Sequence, residues 1–361
     1  MKCDVAVIGG GPAGACAALS AARMGARVLL LHAELTPPRP VLERLAPRTL
    51  HLLTEMGESD AARACRATEC PGVRSVWGLG AVHTARSILD PWGSGWVVQR
   101  ARFDRWLRGQ ARAQGARLLA GRATAVTRTP TGWRIDVDKK PSGTAGGPCA
   151  VEAAHIVLAT GRGRRLLRQL GSDTRCTARE VALLARLNRT PSAWAQDPLL
   201  LLESFDGGWG YGLSLSAHQA LVGVVLSASS GALVDAITPA LKTAALWRRA
   251  IGHTQLLREG AGQAPVAEVW AQPCPLTHAT AFAGPGWVVA GDVGCAHAPL
   301  SGQGVGFAVE SGWRAGWAAS QALASDAASV ENHAQWMQTA AAEHLATWRS
   351  LMDQGQSGPT P

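Results

Sequence analysis

The opening stretch of the chain shows the apolar pattern of a strand–helix–strand unit. Residues 5–8 form an unbroken apolar run, which predicts a buried strand. Residues 13–23 are alanine-rich and predict a helix, and Gly25 ends that helix before a second predicted strand at 26–31, which is apolar from Val28 onward. This order predicts a βαβ unit at the start of the chain.

Comparable patterns continue along the rest of the sequence. Apolar positions at helical spacing predict helices at 42–56, 103–113, 232–258, 305–324 and 332–354. Alternating or continuous apolar runs predict strands at 117–119, 124–128, 132–138, 155–159, 181–188, 199–204, 209–215, 220–227, 266–271 and 287–290. Because short turns separate the strands between 181 and 227, this region is predicted to form an antiparallel sheet.

Composition narrows the class of protein. The chain has 361 residues, 47% of them hydrophobic and 17% charged, which indicates a globular protein of about two domains. No apolar stretch approaches the roughly 18 residues of a transmembrane helix, and Asp4 interrupts any signal-peptide core, so we expect a cytoplasmic protein without a membrane partner. The eight cysteines lack C-x-x-C spacing, so we expect reduced thiols and no metal site.

The net charge of +9 comes mostly from arginine. These arginines are scattered among acidic residues, so the sequence predicts no nucleic-acid partner. Two interpretations stay open, namely a general bias toward arginine and a lobe that attracts an anionic cofactor or an acidic partner.

Two glycine-rich elements at opposite ends of the chain carry the chemistry. In the first, Gly9 permits a tight turn, Gly11 lets a pyrophosphate approach the backbone, and Gly14 lets helix and strand pack closely. Pro12 and Ala13 then open a helix whose N-terminus attracts phosphate. The second element comprises Gly291, Asp292, Pro299, Gly302, Gln303 and Gly304. Two such elements predict a large cofactor held at two points, which points to FAD.

The acid that usually binds the adenosine ribose is missing from the end of the second strand. His32 stands there instead, and the nearest acid is Glu34. Either side chain could contact the ribose, and contact by neither also stays open.

Five motifs resemble those of the FAD-dependent halogenase and monooxygenase superfamily, which has the p-hydroxybenzoate-hydroxylase-like fold. They are the G-x-G-x-x-G turn, Glu43-Arg-Leu45-Ala-Pro47, Arg100-x-x-Phe103-Asp104-x-x-Leu107, Ala159-Thr-Gly161, and Gly291-Asp292 with Pro299-Leu-Ser-Gly302-Gln-Gly304. The resemblance implies an α/β chain with a Rossmann-like FAD-binding domain, an antiparallel β-sheet substrate domain and C-terminal helices. We expect the FAD-binding domain at 1–70, 95–175 and 271–330, the substrate domain at 71–94 and 176–270, a C-terminal helix at 331–354, and a disordered tail at 355–361.

The same resemblance implies roles at the cofactor site. Asp292 would accept hydrogen bonds from the ribityl hydroxyls, and the segment from Gly302 to Gly304 would present backbone N–H groups to the flavin. Pro299 would border the isoalloxazine ring. Arg44 and either Gln99 or Arg100 would line the ribityl and pyrophosphate side, and Gly161 would bind the cofactor as part of the A-T-G turn.

Departures from the superfamily patterns narrow the expected reaction. Residues 58–100 contain no lysine, which disfavours a halogenase. Thr160 replaces the aspartate that NADPH-using hydroxylases usually carry, so a separate flavin reductase is one option for the electron donor. Ala298 replaces a common aspartate. What remains resembles the flavoproteins that accompany quinone-cofactor oxidases, which act on a tryptophan of a partner protein.

Three residues are candidates for the substrate side. His297 lies close to Pro299 and could donate a proton or hold a substrate, although a loop histidine bonded to backbone is the alternative. Trp209 and Tyr211 alternate on a predicted strand and therefore share a face, which could cover the substrate or belong to the core.

Together these features predict an FAD-dependent oxidoreductase. The favoured reaction is hydroxylation of an aromatic substrate, either a small molecule or a tryptophan side chain of a partner protein. The alternatives are a dehydrogenase or reductase of a small apolar substrate and a non-catalytic flavoprotein that assists maturation of a partner.

Overall fold

The structure, a computed structural model, describes residues 1–33, 41–78, 80–138, 149–188, 192–227, 240–261 and 264–356. The predicted loop at 139–148 and the end of the predicted tail, 357–361, lie outside these ranges, as does the start of the predicted helix at 232–258.

The described ranges contain ten α-helices, and the apolar pattern did not predict all of them. They are α1 (Pro12–Arg23), α2 (Pro47–Glu55), α3 (Ala61–Ala64), α4 (Arg100–Ala113), α5 (Arg165–Gln169), α6 (Ser192–Gln196), α7 (Ala240–Gly252), α8 (Leu256–Ala261), α9 (Gly304–Leu323) and α10 (Ala328–Gln356). None of the helices in the described ranges is both long and apolar enough to cross a membrane. Because α10 continues to Gln356, the first two residues of the predicted disordered tail are helical.

The described strands outnumber the helices. They are β1 (Lys2–Ile8), β2 (Val28–His32), β3 (Leu42–Leu45), β4 (Thr68–Cys70), β5 (Gly72–Val76), β6 (His83–Arg86), β7 (Gly95–Gln99), β8 (Arg117–Ala120), β9 (Arg122–Thr129), β10 (Gly132–Asp138), β11 (Cys149–Leu158), β12 (Thr174–Ala178), β13 (Glu180–Leu187), β14 (Leu200–Phe205), β15 (Gly208–Ser216), β16 (Gln219–Ser227), β17 (Val266–Pro273), β18 (Leu276–Ala279), β19 (Ala283–Gly284), β20 (Trp287–Val289) and β21 (Cys295–Ala296).

An eight-stranded sheet contains the predicted βαβ unit. Its order is β19-β20-β11-β1-β2-β8, with β10 and β9 attached beside β11. The pairs from β20 to β8 are parallel, and β1, which lies between β11 and β2, is a buried apolar run as predicted. This arrangement brings the carboxyl ends of β1, β2 and β20 to one edge of the sheet, where nucleotides bind in doubly wound folds.

A seven-stranded sheet faces the site from the other side. Its order is β17-β13-β16-β15-β14-β5-β6, and its pairs are antiparallel except β14 with β5. The predicted antiparallel sheet between 181 and 227 is therefore confirmed. The predicted domain boundaries themselves stay a prediction.

The predicted helix at 42–56 is wrong in its first half. Residues Leu42–Leu45 form β3, which pairs antiparallel with β7, and α2 begins only at Pro47. Pro47 lacks a backbone N–H and disfavours helical backbone at the residue before it, so the helix starts at the proline instead of running through it.

Close packing of α1 against α9 brings the two glycine-rich elements together. A Cβ added to Gly312 would lie 2.1 Å from the Ala13 carbonyl oxygen, and one added to Gly316 would lie 2.2 Å from the Ala17 carbonyl oxygen. Glycines spaced four residues apart on α9 therefore face residues spaced four apart on α1. The contact fixes both helix N-termini on the same side of the sheet.

Candidate active site

A cavity of about 1020 Å³ lies between the two large sheets. Both glycine-rich elements line it, and so do residues of β13, β14 and β15 from the seven-stranded sheet. Among the described residues, eight arginines and three acidic side chains line this cavity. The excess of positive charge favours an anionic ligand, as one of the two interpretations of the net charge predicted.

The first glycine turn is packed tightly against the parallel sheet. Gly9 has a φ of +120°, and a Cβ there would lie 2.1 Å from the carbonyl oxygen of Ala159. A Cβ on Gly14 would lie 1.7 Å from the carbonyl oxygen of Gly9. Gly14 thus acts through packing and does not line the cavity, in keeping with the third position of the motif.

The N-terminus of α1 is open toward the cavity. Gly11 and Pro12 line the cavity, and the helix has no side-chain cap among the described residues. A Cβ on Gly11 would meet only the Arg100 guanidinium, at 3.8 Å. Arg108 lies alongside and donates a hydrogen bond to the Gly10 carbonyl oxygen at 2.8 Å. Free N–H groups, a helix dipole and a nearby cation together fit a pyrophosphate.

The second element supplies another helix N-terminus. Gly302 has a φ of +59° and no atom within 4 Å of an added Cβ, and Gly304 opens α9 without a side-chain cap among the described residues. Pro299, Gly302 and Gly304 line the cavity, whereas Gln303 is not among its lining residues. The open backbone at Gly302 fits the edge of a flat ring system.

Asp292 and Gly161 lie on neighbouring turns of the same cavity. Asp292 follows Gly291, whose N–H donates to the Ser311 hydroxyl at 3.0 Å, and its carboxylate lies 3.4 Å from the Arg162 Nε atom. Gly161 has a φ of +60° and open space around it. The predicted roles of these residues toward the cofactor stay predictions.

A charged triad closes another side of the cavity. Arg100 lies 2.7 Å from Asp104 and 3.3 Å from Glu43. Burial alone would lower the pKa of Arg100, but the neighbouring Asp104 and Glu43 raise it above its ordinary value. Burial raises the pKa of the Glu43 carboxyl, and the Arg100 charge opposes that effect. The triad therefore holds Arg100 in a fixed orientation facing the cavity.

His32 and Arg44 also line the cavity, and their roles toward the cofactor stay predictions. His32 ends β2 next to Gly10, because a Cβ on Gly10 would lie 2.4 Å from the His32 Cβ. Arg44 buries its Nε atom with no hydrogen-bond partner in the described part of the chain, which fits a group awaiting a ligand oxygen. Glu34 lies outside the described residues, so the alternatives for the ribose stay open.

His297 sits in a buried aromatic stack at the cavity wall. It is 7% exposed, and its ring lies 3.8 Å from the ring of His344 and 4.3 Å from that of Phe307. Neither ring nitrogen has a hydrogen-bond partner within the described residues, so the alternative of a loop histidine bonded to backbone is wrong. Burial, with a smaller effect from His344, lowers the pKa of His297 to about 3. A neutral imidazole can hold a ligand by hydrogen bonds but is not charged to donate a proton at neutral pH.

Sequence reasoning missed His344, which completes this stack from α10. The Ala298 backbone N–H donates to its Nε2 atom at 3.1 Å, so the ring is neutral there, and burial lowers its pKa to about 4. His344 lies on α10, 46 residues after Ala298, so the sequence around His297 gave no local signal.

Trp209 and Tyr211 share the face of β15 that borders the cavity, as their alternation predicted. Their ring centroids are 5.9 Å apart, and Trp209 is 2% exposed. Burial raises the pKa of Tyr211 well above its usual range, so the phenol stays protonated. The rest of this wall is aliphatic and comprises Ala182, Leu184, Leu200, Leu202 and Leu213. Both rings also pack into the core of this sheet.

Comparison with known proteins agrees with this geometry. Residues 4–36, which contain the first glycine turn, match the family model described as FAD dependent oxidoreductase. The protein is an FAD-dependent oxidoreductase. The enzyme is 28% identical over 331 residues to a probable electron transfer flavoprotein-quinone oxidoreductase, YgcN of Escherichia coli, covering 85% of this chain and 74% of that relative.

Solved structures share the fold of the enzyme. The myxobacterial chondrochloren halogenase CndH superposes with a TM-score of 0.85 at 23% identity, covering 99% of this chain and 84% of that chain. The peptidyl tryptophan dihydroxylase QhpG superposes with a TM-score of 0.74 at 23% identity, covering 99% and 76%. The fold is therefore that of the FAD-dependent halogenase and monooxygenase superfamily, as the five motifs indicated.

Proposed function

We propose that the enzyme is an FAD-dependent monooxygenase that hydroxylates an aromatic substrate, either a small molecule or a tryptophan side chain of a partner protein. The observation that carries this proposal is the aromatic and aliphatic wall of β15 and β14, which lines the same cavity as Pro299 and Gly302. An apolar wall with aromatic rings binds a flat apolar substrate and excludes water from the reacting face. The name of QhpG, which shares the fold, supports the same substrate class.

The residues of the chain divide the work of this reaction. FAD, when bound, supplies the redox and oxygen chemistry, which no side chain can perform. The N-terminus of α1 binds the negatively charged pyrophosphate, and the N-terminus of α9 binds negative charge on the flavin ring. Asp292 and Arg44 orient the ribityl chain between them. The neutral His297 and the protonated Tyr211 offer hydrogen bonds to a substrate without adding charge to the cavity.

The experiment uses the FAD-loaded enzyme and ¹⁸O₂. Reduced enzyme is mixed with ¹⁸O₂ and with indoles, phenols and tryptophan-containing peptides, and products are analysed by mass spectrometry. We expect one ¹⁸O atom in the product, and loss of most product with Trp209→Leu because the aromatic wall is broken. Trp317→Leu serves as the matched control, since Trp317 is 40% exposed and does not line the cavity.

A reductase is the second candidate, because the similar protein YgcN is named a probable quinone oxidoreductase. The apolar wall also suits a quinone or an isoprenoid chain. Two results together would establish this alternative and reject the monooxygenase. Quinones would oxidise the reduced enzyme in the absence of oxygen, and no product of the ¹⁸O₂ experiment would contain ¹⁸O.

The electron donor is tested in the same preparation. With Thr160 beside Gly161, we propose that a separate flavin reductase supplies the reduced cofactor. Rapid oxidation of NADPH by the purified enzyme alone would contradict this part of the proposal.

The eight cysteines, all free thiols, support a cytoplasmic location for the reaction.

A further inference from the structure

A second pocket adjoins the cofactor cavity. It has a volume of about 380 Å³ and is lined by Ala64, Arg66, Arg102, Arg105 and Trp106. Arg105 lines the cofactor cavity as well, so the two spaces meet at this side chain. Nothing in the proposed reaction uses the other four residues.

The pocket concentrates positive charge that carboxylates do not neutralise. In the described part of the chain, none of its three arginines forms an ion pair. The only acidic side chain of α4 is Asp104, and it is engaged by Arg100 at 2.7 Å. Guanidinium groups without acidic partners attract phosphate, whose oxygens accept paired hydrogen bonds from arginine.

Arg66 holds a backbone conformation that glycine would adopt more easily. Its φ is +50°, and it follows the last turn of α3. Its N–H donates to the Arg63 carbonyl at 3.1 Å, and the Ala67 N–H donates to the Ala62 carbonyl at 2.9 Å, which is the Schellman pattern of helix ends. The chain thus carries an arginine at the position that usually favours glycine, and that arginine lines the pocket.

Trp106 gives the pocket an aromatic side. Trp106 is half-buried. Its ring stacks on the buried ring of Phe103, one turn earlier on α4, with the two ring centroids 6.0 Å apart. A ring held in this way loses little freedom when a flat base stacks on it.

We propose that this pocket binds the phosphate of a nucleotide, with Arg66 and Arg102 contacting the phosphate oxygens and Trp106 contacting the base. Arg105 places such a nucleotide beside the cofactor cavity. The proposal concerns binding alone and does not depend on the reaction proposed above.

Calorimetry on the FAD-loaded enzyme tests the proposal, because bound FAD keeps other nucleotides out of the cofactor site. Inorganic phosphate, ADP, NAD⁺ and NADP⁺ are titrated at low ionic strength. We expect ADP to bind, with an affinity that falls as salt is added. Tighter binding of NADP⁺ than of NAD⁺ would identify the 2′-phosphate as the recognised group. Equal binding of the two would identify the diphosphate. Both results support the proposal that the pocket binds a nucleotide phosphate.

The variants assign the binding to these residues. Arg66→Gly and Arg102→Ala should each weaken ADP binding at least about fivefold, the usual order for losing a charge-assisted contact. Glycine adopts the left-handed backbone at position 66 without steric cost, so the melting temperature of Arg66→Gly should equal or exceed that of the wild type. A loss of ADP binding in this variant would therefore not result from misfolding. Arg112→Ala is the matched control, as Arg112 lies in the last turn of α4 and does not line the pocket.

Two results would overturn the proposal. One is an FAD-loaded enzyme that binds neither phosphate nor ADP. The other is ADP binding that is unchanged in both Arg66→Gly and Arg102→Ala. Trp106→Leu should weaken ADP binding while leaving phosphate binding intact, and an equal loss for both probes would remove the base contact from the proposal.

Discussion

At the residue scale, the glycines of the first turn divide into those that face the cavity and those that face the protein. Gly11 has open space toward the cavity, whereas Gly14 lies against the backbone of Gly9. The motif spacing predicted both positions, but only the tertiary structure shows that Gly11 faces the cavity and that Gly14 packs against backbone.

This division predicts different results for two alanine substitutions. Gly14→Ala should destabilise the protein by about 3 kcal/mol or more, because its Cβ would overlap a carbonyl oxygen. Gly11→Ala should leave the melting temperature of the FAD-free protein unchanged and weaken FAD binding about tenfold or more by narrowing the phosphate site. Thermal unfolding and flavin titration measure the two effects. Gly109→Ala on α4, where nothing lies within 4 Å, is the control and should stabilise by about 0.5–1 kcal/mol. Equal effects of the first two substitutions would show that the division is wrong.

His297 gives a second prediction at this scale. Because burial lowers its pKa to about 3, the imidazole should stay neutral at pH 5, well below the ordinary histidine pKa of about 6.5. Long-range ¹H–¹⁵N NMR of the histidine rings, assigned by comparison with His297→Gln, measures its protonation. A titration near pH 6.5 would contradict the buried stack and restore the proton-donor role.

At the element scale, the contact between α1 and α9 decides whether a cofactor site exists. The two helices touch through Gly312 and Gly316, whose side of α9 has no room for a Cβ. The helical pattern predicted both helices, yet pairing between segments about 300 residues apart leaves no local signal in one sequence. The strand β3 was mispredicted for a related reason, since its partner β7 lies about 50 residues away and supplies the hydrogen bonds that make it a strand.

Adding one methyl group to this helix contact tests its importance. Gly316→Ala should destabilise the protein by about 1–3 kcal/mol, because Ala17 backbone atoms occupy the space of the new Cβ. It should also weaken FAD binding, since the two helix N-termini would separate. Urea unfolding and flavin titration check both effects. Gly252→Ala at the end of α7 has open space around it and serves as the control. A stable Gly316→Ala protein with normal FAD affinity would show that α1 and α9 tolerate separation.

At the scale of the whole molecule, α10 connects the two sheet layers. It carries His333, whose Nε2 atom lies 2.8 Å from the Val289 carbonyl oxygen, and His344 in the stack with His297. Toward its end, the Leu351 carbonyl accepts a hydrogen bond from Trp77 Nε1 at 3.0 Å, beyond the end of β5. Burial lowers the pKa of His333 and of His344 to about 4.

These buried histidines predict loss of stability in mild acid. Their folded pKa values lie below the unfolded value near 6.5, so as the pH falls from about 6.5 toward 4 the unfolded chain binds protons that the folded chain does not. Each histidine then removes up to about 1.4 kcal/mol of stability per pH unit. Urea unfolding at pH 7 and pH 5 should show this loss, and His344→Phe, which keeps an aromatic ring in the stack, should reduce it by about 1–2 kcal/mol. An unchanged pH dependence in His344→Phe would mean that this histidine is already protonated in the folded protein.

The sequence by itself determined the βαβ unit, the antiparallel sheet, the fold and the cofactor. Each of these was predicted from short motifs whose own residues lie close together in the chain, such as Gly9 to Gly14, where backbone sterics leave few choices of residue. Tertiary structure alone decided that burial keeps His297 neutral and so unable to donate a proton, that Leu42–Leu45 is a strand, and that an arginine pocket adjoins the cofactor cavity. These features depend on burial and on contacts between distant segments, and burial sets the pKa of a histidine more strongly than its neighbours in sequence do.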